Sequence, residues 1–485
     1  MRVARETVRP GRSEATEGGS NLGGLVVSRR DLLRGATAAG VGMGLALLAP
    51  GAAGAARSKF PIGAAAKSKS KPVSITMWHS MTSANLTALT NLTNQFNASQ
   101  KDVSVNLLAQ TSYTDTQTAY TTALSGGKLP DIVQWETELI QILIDSQSVV
   151  PVASAIAADH YSLSDFVPSM VNYFRVDGTQ WALPFNISSQ VLYYDQAVFT
   201  KAGLDPTTPP ANLAQLRNTA QKIVSSGAAK YGMSLKLSSS TFELWMALGG
   251  QTAVNKSNGR SGRATAVTFD DALGKSIFNW WGAMLHDRLA QSTSSTAYDN
   301  LLAIGSGIAP MTLDTSASLG TILQVLSGGQ YANVKLGVGP IPSSSSKPVK
   351  KGGVFIGGAG MYIVNKSAAT QDASWQFIKY LTEPAQQAAW AAATGYVPVR
   401  KSAVSLAPLA STWAKVPGFR VPYKQLLASP TNPATAGYVA GAASEIDQSI
   451  LNALEALASG TPPTQAIAQA AAAANSAISS YNERV

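Results

Sequence analysis

Residues equipped for covalent or metal chemistry are few in this chain and far apart. It has three histidines, His79, His160 and His286, and no cysteine. Zinc sites draw on clustered His and Cys ligands, so no metal site is expected. His79 and Ser80 are adjacent, but neighbours on a strand point to opposite faces and would not share a proton as a nucleophile and its base must. There is no G-x-S-x-G elbow, no phosphate-binding P-loop and no D-x-D-x-D-G calcium loop. The G-x-G from Gly358 to Gly360 lacks the spacing of a dinucleotide fingerprint. Neither an enzyme nor a cofactor is expected. What remains is chemistry suited to reversible binding: aromatic side chains, a carboxylate at Glu136, and small polar residues such as the DTSAS run from Asp314 to Ser318.

Alternating elements must position these groups. KPVSITMWHS (71–80) reads as a strand, SANLTALTNLTNQFNAS (83–99) as a helix with Leu86, Leu89, Leu92 and Phe96 on one face, and VSVNLLA (103–109) as a strand. TDTQTAYTTALSGG (114–127) follows as a helix ended by a glycine pair, then LPDIVQW (129–135) as a strand. This order argues a parallel α/β sheet. A second alternation runs through the helix PANLAQLRNTAQKIVSSG (210–227), the strand YGMSLKL (231–237), the long helix DDALGKSIFNWWGAMLHD (270–287) and the strand IAPMTL (308–313). In the long helix Phe278, Trp281 and Leu285 share a side. The last hundred residues are mostly helical, and the final helix starts at Thr461-Pro-Pro. Ligands of open α/β sheets bind outside the carboxyl ends of the strands. His79, Ser80, Glu136 and the DTSAS run all follow predicted strands, so polar groups collect at one edge.

The first seventy residues obey other rules. SRRDLLRGATAAGVGMGLALLAPGAAGAA (28–56) sets Arg29 and Arg30 before an uncharged run from Gly35 to Ala56. It resembles a twin-arginine export signal, with Ser28, Asp31, Leu32 and Leu33 filling the S-R-R-x-h-h pattern and a cut near Ala55 or Ala56. A membrane anchor is the other reading of such a run, weakened by Gly40, Gly42, Gly44, Gly51 and Gly54. Residues 57–71 are basic and poor in apolar side chains, a flexible linker. Residues 1–71 carry 12 Lys or Arg against 4 Asp or Glu, so +8 of the chain's net +10 lies there. The rest is nearly neutral and shows no basic stripe, which removes nucleic acid as a partner. Without cysteine the chain has no lipoprotein anchor and no disulfide, and its stability rests on its core. Some 410 residues exceed what one core holds, so two domains are expected after the leader.

Four blocks, ITMWHSM (75–81), LPDIVQWET (129–137), WALPFNISSQVLYYDQAVFTKAGLD (181–205) and FIGGAGMYIVNKS with TGYVPVRKS (355–402), resemble the extracellular solute-binding proteins of ABC importers. The combination is most similar to the glycerol-3-phosphate-binding branch of the carbohydrate type. That resemblance implies a two-lobed periplasmic binding protein fold of type II, each lobe a mainly parallel sheet flanked by helices, with the ligand cleft between the lobes. It implies lobe I from 72–187 and 341–385 and lobe II from 188–340 and 386–485. It further implies a monomer outside the cytoplasmic membrane that binds a sugar, polyol or glycerol-derived solute and delivers it to the membrane subunits of an ABC permease. Within the class, a true glycerol-3-phosphate or glycerophosphodiester binder is the other reading; outside it, a secreted enzyme or adhesin on the same scaffold.

Site residues follow from the same resemblance. Glu136 fits an acidic residue accepting hydrogen bonds from ligand hydroxyls, although a carboxylate opening a surface helix would look alike. Ser188 lies on the first crossing between lobes and reaches the ligand, while Asn186 satisfies backbone groups at the bend or does the same, and Val191 to Tyr194 are core. Phe242 and Trp245 fit a pair of aromatics in the second lobe, with Phe242 standing where the branch has Trp; core burial is their alternative. Ser316 matches a serine-rich loop, Gly358 admits ligand to the backbone, and Tyr396 matches a ligand-facing tyrosine. Where the branch has a phosphate-gripping arginine in G-L-R-L-G, Gly437-Tyr438-Val439-Ala440-Gly441 carries Val439, a specificity position that argues against phosphate. Arg400, Arg420 and Lys424 are the cations able to replace it.

Overall fold

Polar and apolar residues alternate along β1 (Val73–His79), which buries Ile75, Met77 and His79 on one side. In the computed structural model, which describes residues 72–294, 298–327, 329, 331 and 333–485, this strand nucleates the first of two sheets. The expected twin-arginine signal (1–56) and basic linker (57–71) lie outside the described residues.

β1 runs parallel to β2 (Val103–Ala109) and, on its other side, to β3 (Ile132–Glu136). The edge strand β4 (Val149–Val150) and a two-strand hairpin of β5 (Arg175–Val176) and β6 (Thr179–Gln180) follow in the chain. β7 (Leu183–Ser188) closes this half, and after a single residue β8 (Gln190–Asp195) opens the second sheet. There β9 (Met233–Lys236), β10 (Ala290–Thr293) and β11 (Met311–Thr315) are parallel, and β8 and β12 (Leu336–Pro340) are antiparallel additions in the order β10-β9-β11-β8-β12. β13 (Gly357–Val364) then returns to the first sheet, antiparallel to β3, β4 and β7. Each sheet is thus a parallel trio extended by antiparallel strands that the alternation rule does not anticipate.

The predicted helices form on the faces expected of them. Ser83–Ser99 buries Leu89, Leu92 and Phe96, and Ala272–His286 buries Ile277, Phe278, Trp281 and Met284, with Leu285 only partly covered. Pro463 opens the final helix, Pro463–Asn482, which packs beside Ala443–Ala458. Tyr193 and Tyr194 are core, their hydroxyls donating to the carbonyls of Thr315 (2.9 Å) and Pro206 (3.0 Å).

The crossings fall later in the chain than the expected boundaries. Ser188 still pairs with Gly357 in the first sheet. Residues from Ile341 stay with the second sheet's helices, since Trp245 Nε1 donates to Pro342 O and Leu213 N to Ser343 O, and the return comes only at β13. Likewise the Pro384–Thr394 helix packs on Ser83–Ser99, and Val397 bridges Ile187, so this stretch belongs with the first lobe and not with the second as the boundary at 386 implied.

Candidate functional site

Strand ends from both sheets face a cleft of about 440 Å³ at the β7–β8 crossing. From the first lobe come Tyr113, Glu136, Glu138, Gly357, Gly358 and Tyr396; the crossing supplies Ser188, Ser189 and Gln190. The second lobe supplies Lys236, the hydroxyl run Ser238–Thr241, and Asp314, Thr315 and Ala317.

The first wall is set by a buried chain of hydrogen bonds. Ser80 N donates to Gln134 Oε1 (2.8 Å), Gln134 Nε2 to Asn186 Oδ1 (2.7 Å), and Asn186 Nδ2 to the Tyr113 hydroxyl (2.6 Å). Because each amide donates on one side and accepts on the other, the chain fixes both amide orientations and aims Tyr113 into the cleft. Asn186 is therefore a positioning residue of the crossing. Tyr396 stacks on Trp390, which stacks in turn on Phe185, so the cleft tyrosine has a rigid aromatic backing. Gly358 adopts φ +100°, and a Cβ there would stand 2.0 Å from Asn186 O, so only glycine lets β13 pass β7. Glu136 ends β3 opposite Ala359 and is half-buried; burial, with the negative field of Asp447, pushes its carboxyl up to about 7.

The second wall is a helix start. Ser238 caps the Ser239–Leu248 helix by accepting from Thr241 N (3.2 Å). Gln190 ties this start to the crossing, donating to Ser240 Oγ (3.0 Å) and accepting from Thr241 Oγ1 (2.7 Å). Lys236, at the end of β9, is 3.5 Å from Asp314 Oδ2, which Asn300 also holds at 2.8 Å. It is the one cation among the described residues that line the cleft.

The structure brings Glu136, Ser188, Gly358 and Tyr396 together at this cleft and leaves four other sequence-derived positions out of it. Phe242 is fully buried between Phe269 and Phe278, and Trp245 between Trp280 and Trp281, so the expectation that they meet ligand is corrected to their core alternative. The helix reaches the cleft through its first turn and Leu244, whereas Phe242 and Trp245 lie on its core side. Ser316 is buried: its hydroxyl accepts from Ser189 N (3.2 Å) while its own N–H donates to Ser189 O (2.8 Å), a clamp between β11 and the crossing. Val439 is buried as well, with its N–H on Asn258 O (3.0 Å), so it sits in the core behind the cleft and not on its wall. None of the three proposed replacement cations lines the cleft. Arg400 donates to Thr382 O and Tyr161 and lies 3.8 Å over the Phe166 ring, and Arg420 lies over Trp413.

Sequence reasoning missed Tyr113, Glu138, Lys236 and Ser238–Thr241. Of these, Ser238–Thr241 carried the signal used elsewhere, small polar residues directly after a predicted strand, while Lys236 lay inside that strand. As for nucleophilic chemistry, Ser80 Oγ bonds Ser112 O and Thr116, while His79 Nδ1 accepts from Met81 N (3.2 Å) and burial lowers its pKa to about 4. The two side chains form no dyad.

Two lobes, each built on a mixed sheet, joined by crossing strands, with a polar cleft at the crossing, define a periplasmic-binding-protein architecture. The family model for bacterial extracellular solute-binding proteins matches residues 91–419, and the chain belongs to that family. Among named relatives, the sn-glycerol-3-phosphate-binding periplasmic protein UgpB of Yersinia pseudotuberculosis is 27% identical over 406 residues, covering 81% of this chain and 89% of the relative. UgpB of Escherichia coli O1:K1 is 28% identical over 417 residues, covering 81% and 90%. Among solved structures, UgpB of Mycobacterium tuberculosis in complex with glycerophosphocholine superposes with a TM-score of 0.69 at 21% identity, covering 85% of this chain and 99% of that one. The GacH receptor of Streptomyces glaucescens, solved unliganded and with acarbose, gives 0.69 at 20% identity and covers 84% and 99%.

Proposed function

We propose that this protein is the solute-receiving component of an ABC importer, acting outside the cytoplasmic membrane as a monomer without catalysis, and that its solute is an uncharged sugar, polyol or glycerol derivative. The observation that carries this reading is the composition of the cleft. Hydroxyls of Ser188, Ser238, Ser239, Ser240 and Thr241 face two tyrosines and two glutamates, a set that exchanges hydrogen bonds with ligand hydroxyls. The lining cation, Lys236, is already beside Asp314, and no other Lys or Arg among the described residues lines the cleft. A phosphate placed here would lack a dedicated countercharge and retain its desolvation cost.

A phosphodiester or phosphate ligand is the second reading, favoured by one feature: the ten-residue Ser239–Leu248 helix points its N-terminal N–H groups at the cleft close to Lys236. Titration calorimetry of the protein with a panel of neutral sugars and polyols and with glycerol 3-phosphate separates the two. Binding of a neutral solute at least tenfold tighter than glycerol 3-phosphate is expected; the reverse order overturns the first reading. Export through the twin-arginine route, with cleavage near Ala55 or Ala56, completes the proposal. Replacing Arg29 and Arg30 by Lys is expected to leave full-length precursor in the cytoplasm, and normal export of that variant would refute the signal assignment.

A further inference from the structure

Strand register sets Lys236 and Asp314 side by side on the second lobe's wall of the cleft. β9 and β11 run parallel with Ser234 opposite Thr312, so two residues further along each strand Lys236 comes opposite Asp314 on the same face of the sheet. The carboxylate is buried and held from two sides. Its Oδ2 accepts from Nδ2 of Asn300 (2.8 Å), in the helix Asp299–Gly305, and its Oδ1 from Thr315 N (2.7 Å). Asn300 Nδ2 also donates to Thr312 Oγ1 (3.2 Å), while its buried Oδ1 has no partner among the described residues. Turning the amide over would set that oxygen against the carboxylate. The fold keeps Asp314 aimed and leaves one acceptor unpaired to do so.

Lys236 is tied less tightly. Its Nζ lies 3.5 Å from Asp314 Oδ2 and bonds no other group among the described residues. A charge-assisted N–H···O bond closes to about 2.7–2.9 Å, so the two charges are adjacent without being fully joined. The ammonium keeps at least two of its three protons for another partner, and the carboxylate keeps a lone pair on Oδ1. We propose that Lys236 and Asp314 together read two adjacent hydroxyls of the solute, a vicinal diol, and that Asn300 is the positioning residue for Asp314.

Geometry favours two hydroxyls over one. A single oxygen bonded at about 2.8 Å to both groups, themselves 3.5 Å apart, would hold them at an angle of roughly 77°, too acute for a hydroxyl that donates and accepts along tetrahedral directions. In a gauche diol the two oxygens lie a hydrogen bond's length apart. One accepts from the ammonium and its neighbour donates to the carboxylate, so each bond keeps its own direction. The pair is also neutral as a unit: Asp314 repels an anion drawn to Lys236, and Lys236 repels a cation drawn to Asp314, which leaves hydroxyls as the groups that suit both.

The inference rests on the solute-binding reading above and holds for either class of solute named there, since sugars, polyols and glycerol 3-phosphate all carry adjacent hydroxyls. Titration calorimetry of the purified protein uses matched probes: D-glucose against its 2-, 3- and 4-deoxy analogues, and glycerol 3-phosphate against 2-hydroxypropyl and 3-hydroxypropyl phosphate. Removing either of two neighbouring hydroxyls is expected to weaken binding by about 10- to 150-fold, the worth of one hydrogen bond to a charged group. Lys236→Gln and Asp314→Asn are each expected to bind the parent probe more weakly and to bring the ratio of parent to deoxy affinity close to unity. An ion pair that serves only to join β9 and β11 would lower the thermal midpoint of the variants and leave that ratio unchanged, which would overturn the proposal. Should Asp314→Asn not fold, Lys236→Gln, at a strand end and with a side chain 21% exposed, carries the test together with the wild-type deoxy series. Indifference of the wild type to every single deletion, or sensitivity only to hydroxyls that are not neighbours, would overturn the diol assignment and leave the solute class standing. Discrimination seen with glycerol 3-phosphate alone would uphold the assignment and refute only the neutral solute, whereas a protein that binds none of the probes would refute the solute reading and this inference with it.

Discussion

Trp245 offers the sharpest separation of core from cleft. Its ring is fully buried, lies 5.2 Å from Trp280 and 5.5 Å from Trp281 in edge-to-face contact, and its Nε1 donates to Pro342 O at 3.0 Å. Trp245→Ala removes that contact surface and leaves a cavity, a loss of about 3–5 kcal/mol for a large aromatic in a core. Trp245→Phe keeps most of the ring but strands the Pro342 carbonyl, costing about 1–3 kcal/mol. In a lobe of this size each kcal/mol lowers the thermal midpoint by about 2–4 °C, so Ala is expected to lower it by about 6–20 °C and Phe by about 2–12 °C. Calorimetry or circular dichroism on the leaderless protein reads both. An Ala variant that melts with the wild type while losing its solute would refute the packing argument and restore Trp245 to the binding wall.

Three further substitutions probe the crossing and the first wall. Gly358→Ala drives a Cβ to within 2.0 Å of Asn186 O at a φ of +100°, so β7 and β13 must part; a loss of about 1–3 kcal/mol in chemical denaturation, together with weaker solute binding, is expected. Asn186→Ala cuts the Gln134–Asn186–Tyr113 chain and leaves a buried amide unpaired, so a similar loss of about 1–3 kcal/mol is expected, and a neutral outcome would mean that water replaces the amide. His79 is neutral and buried with its pKa lowered to about 4, so the unfolded chain binds the extra proton between about pH 6.5 and pH 4 and stability falls as pH drops through that window. His79→Leu is expected to flatten this slope, which amounts to up to about 3 kcal/mol for a shift of that size, and an unchanged acid limb of the stability profile would refute the assignment.

How far the sequence reaches is clearest where period and place coincide. The strand VSVNLLA and the helix SANLTALTNLTNQFNAS match their observed bounds because valines alternating with polar residues and a 3.6-residue stripe each favour one local structure. The first parallel trio follows from alternation and the second only in part, since β10 gave no strand signal in the sequence; β13 does not follow at all, because FIGGAGMYIV pairs antiparallel with β3 and β7 across a separation of some 170 to 230 residues, and nothing local records its partner. Site residues divide in the same way. Glu136 and Gly358 sit at strand ends and crossings, where position alone sets the side chain or the backbone at the cleft. Phe242 and Trp245 lie within a helix, where three residues apart describes a face without saying which face is buried; the tertiary partners Phe269, Phe278, Trp280 and Trp281 decide it. Val439 shows the limit of motif matching. Its place in G-Y-V-A-G is legible, but the backbone turns at Gly437, φ +68°, and Val439 is buried while the hydroxyl of the preceding Tyr438 donates to the Asp447 carboxylate. Asp447 lies ten positions beyond the glycine that makes the turn, and only the folded helix Ala443–Ala458 brings it back to that hydroxyl.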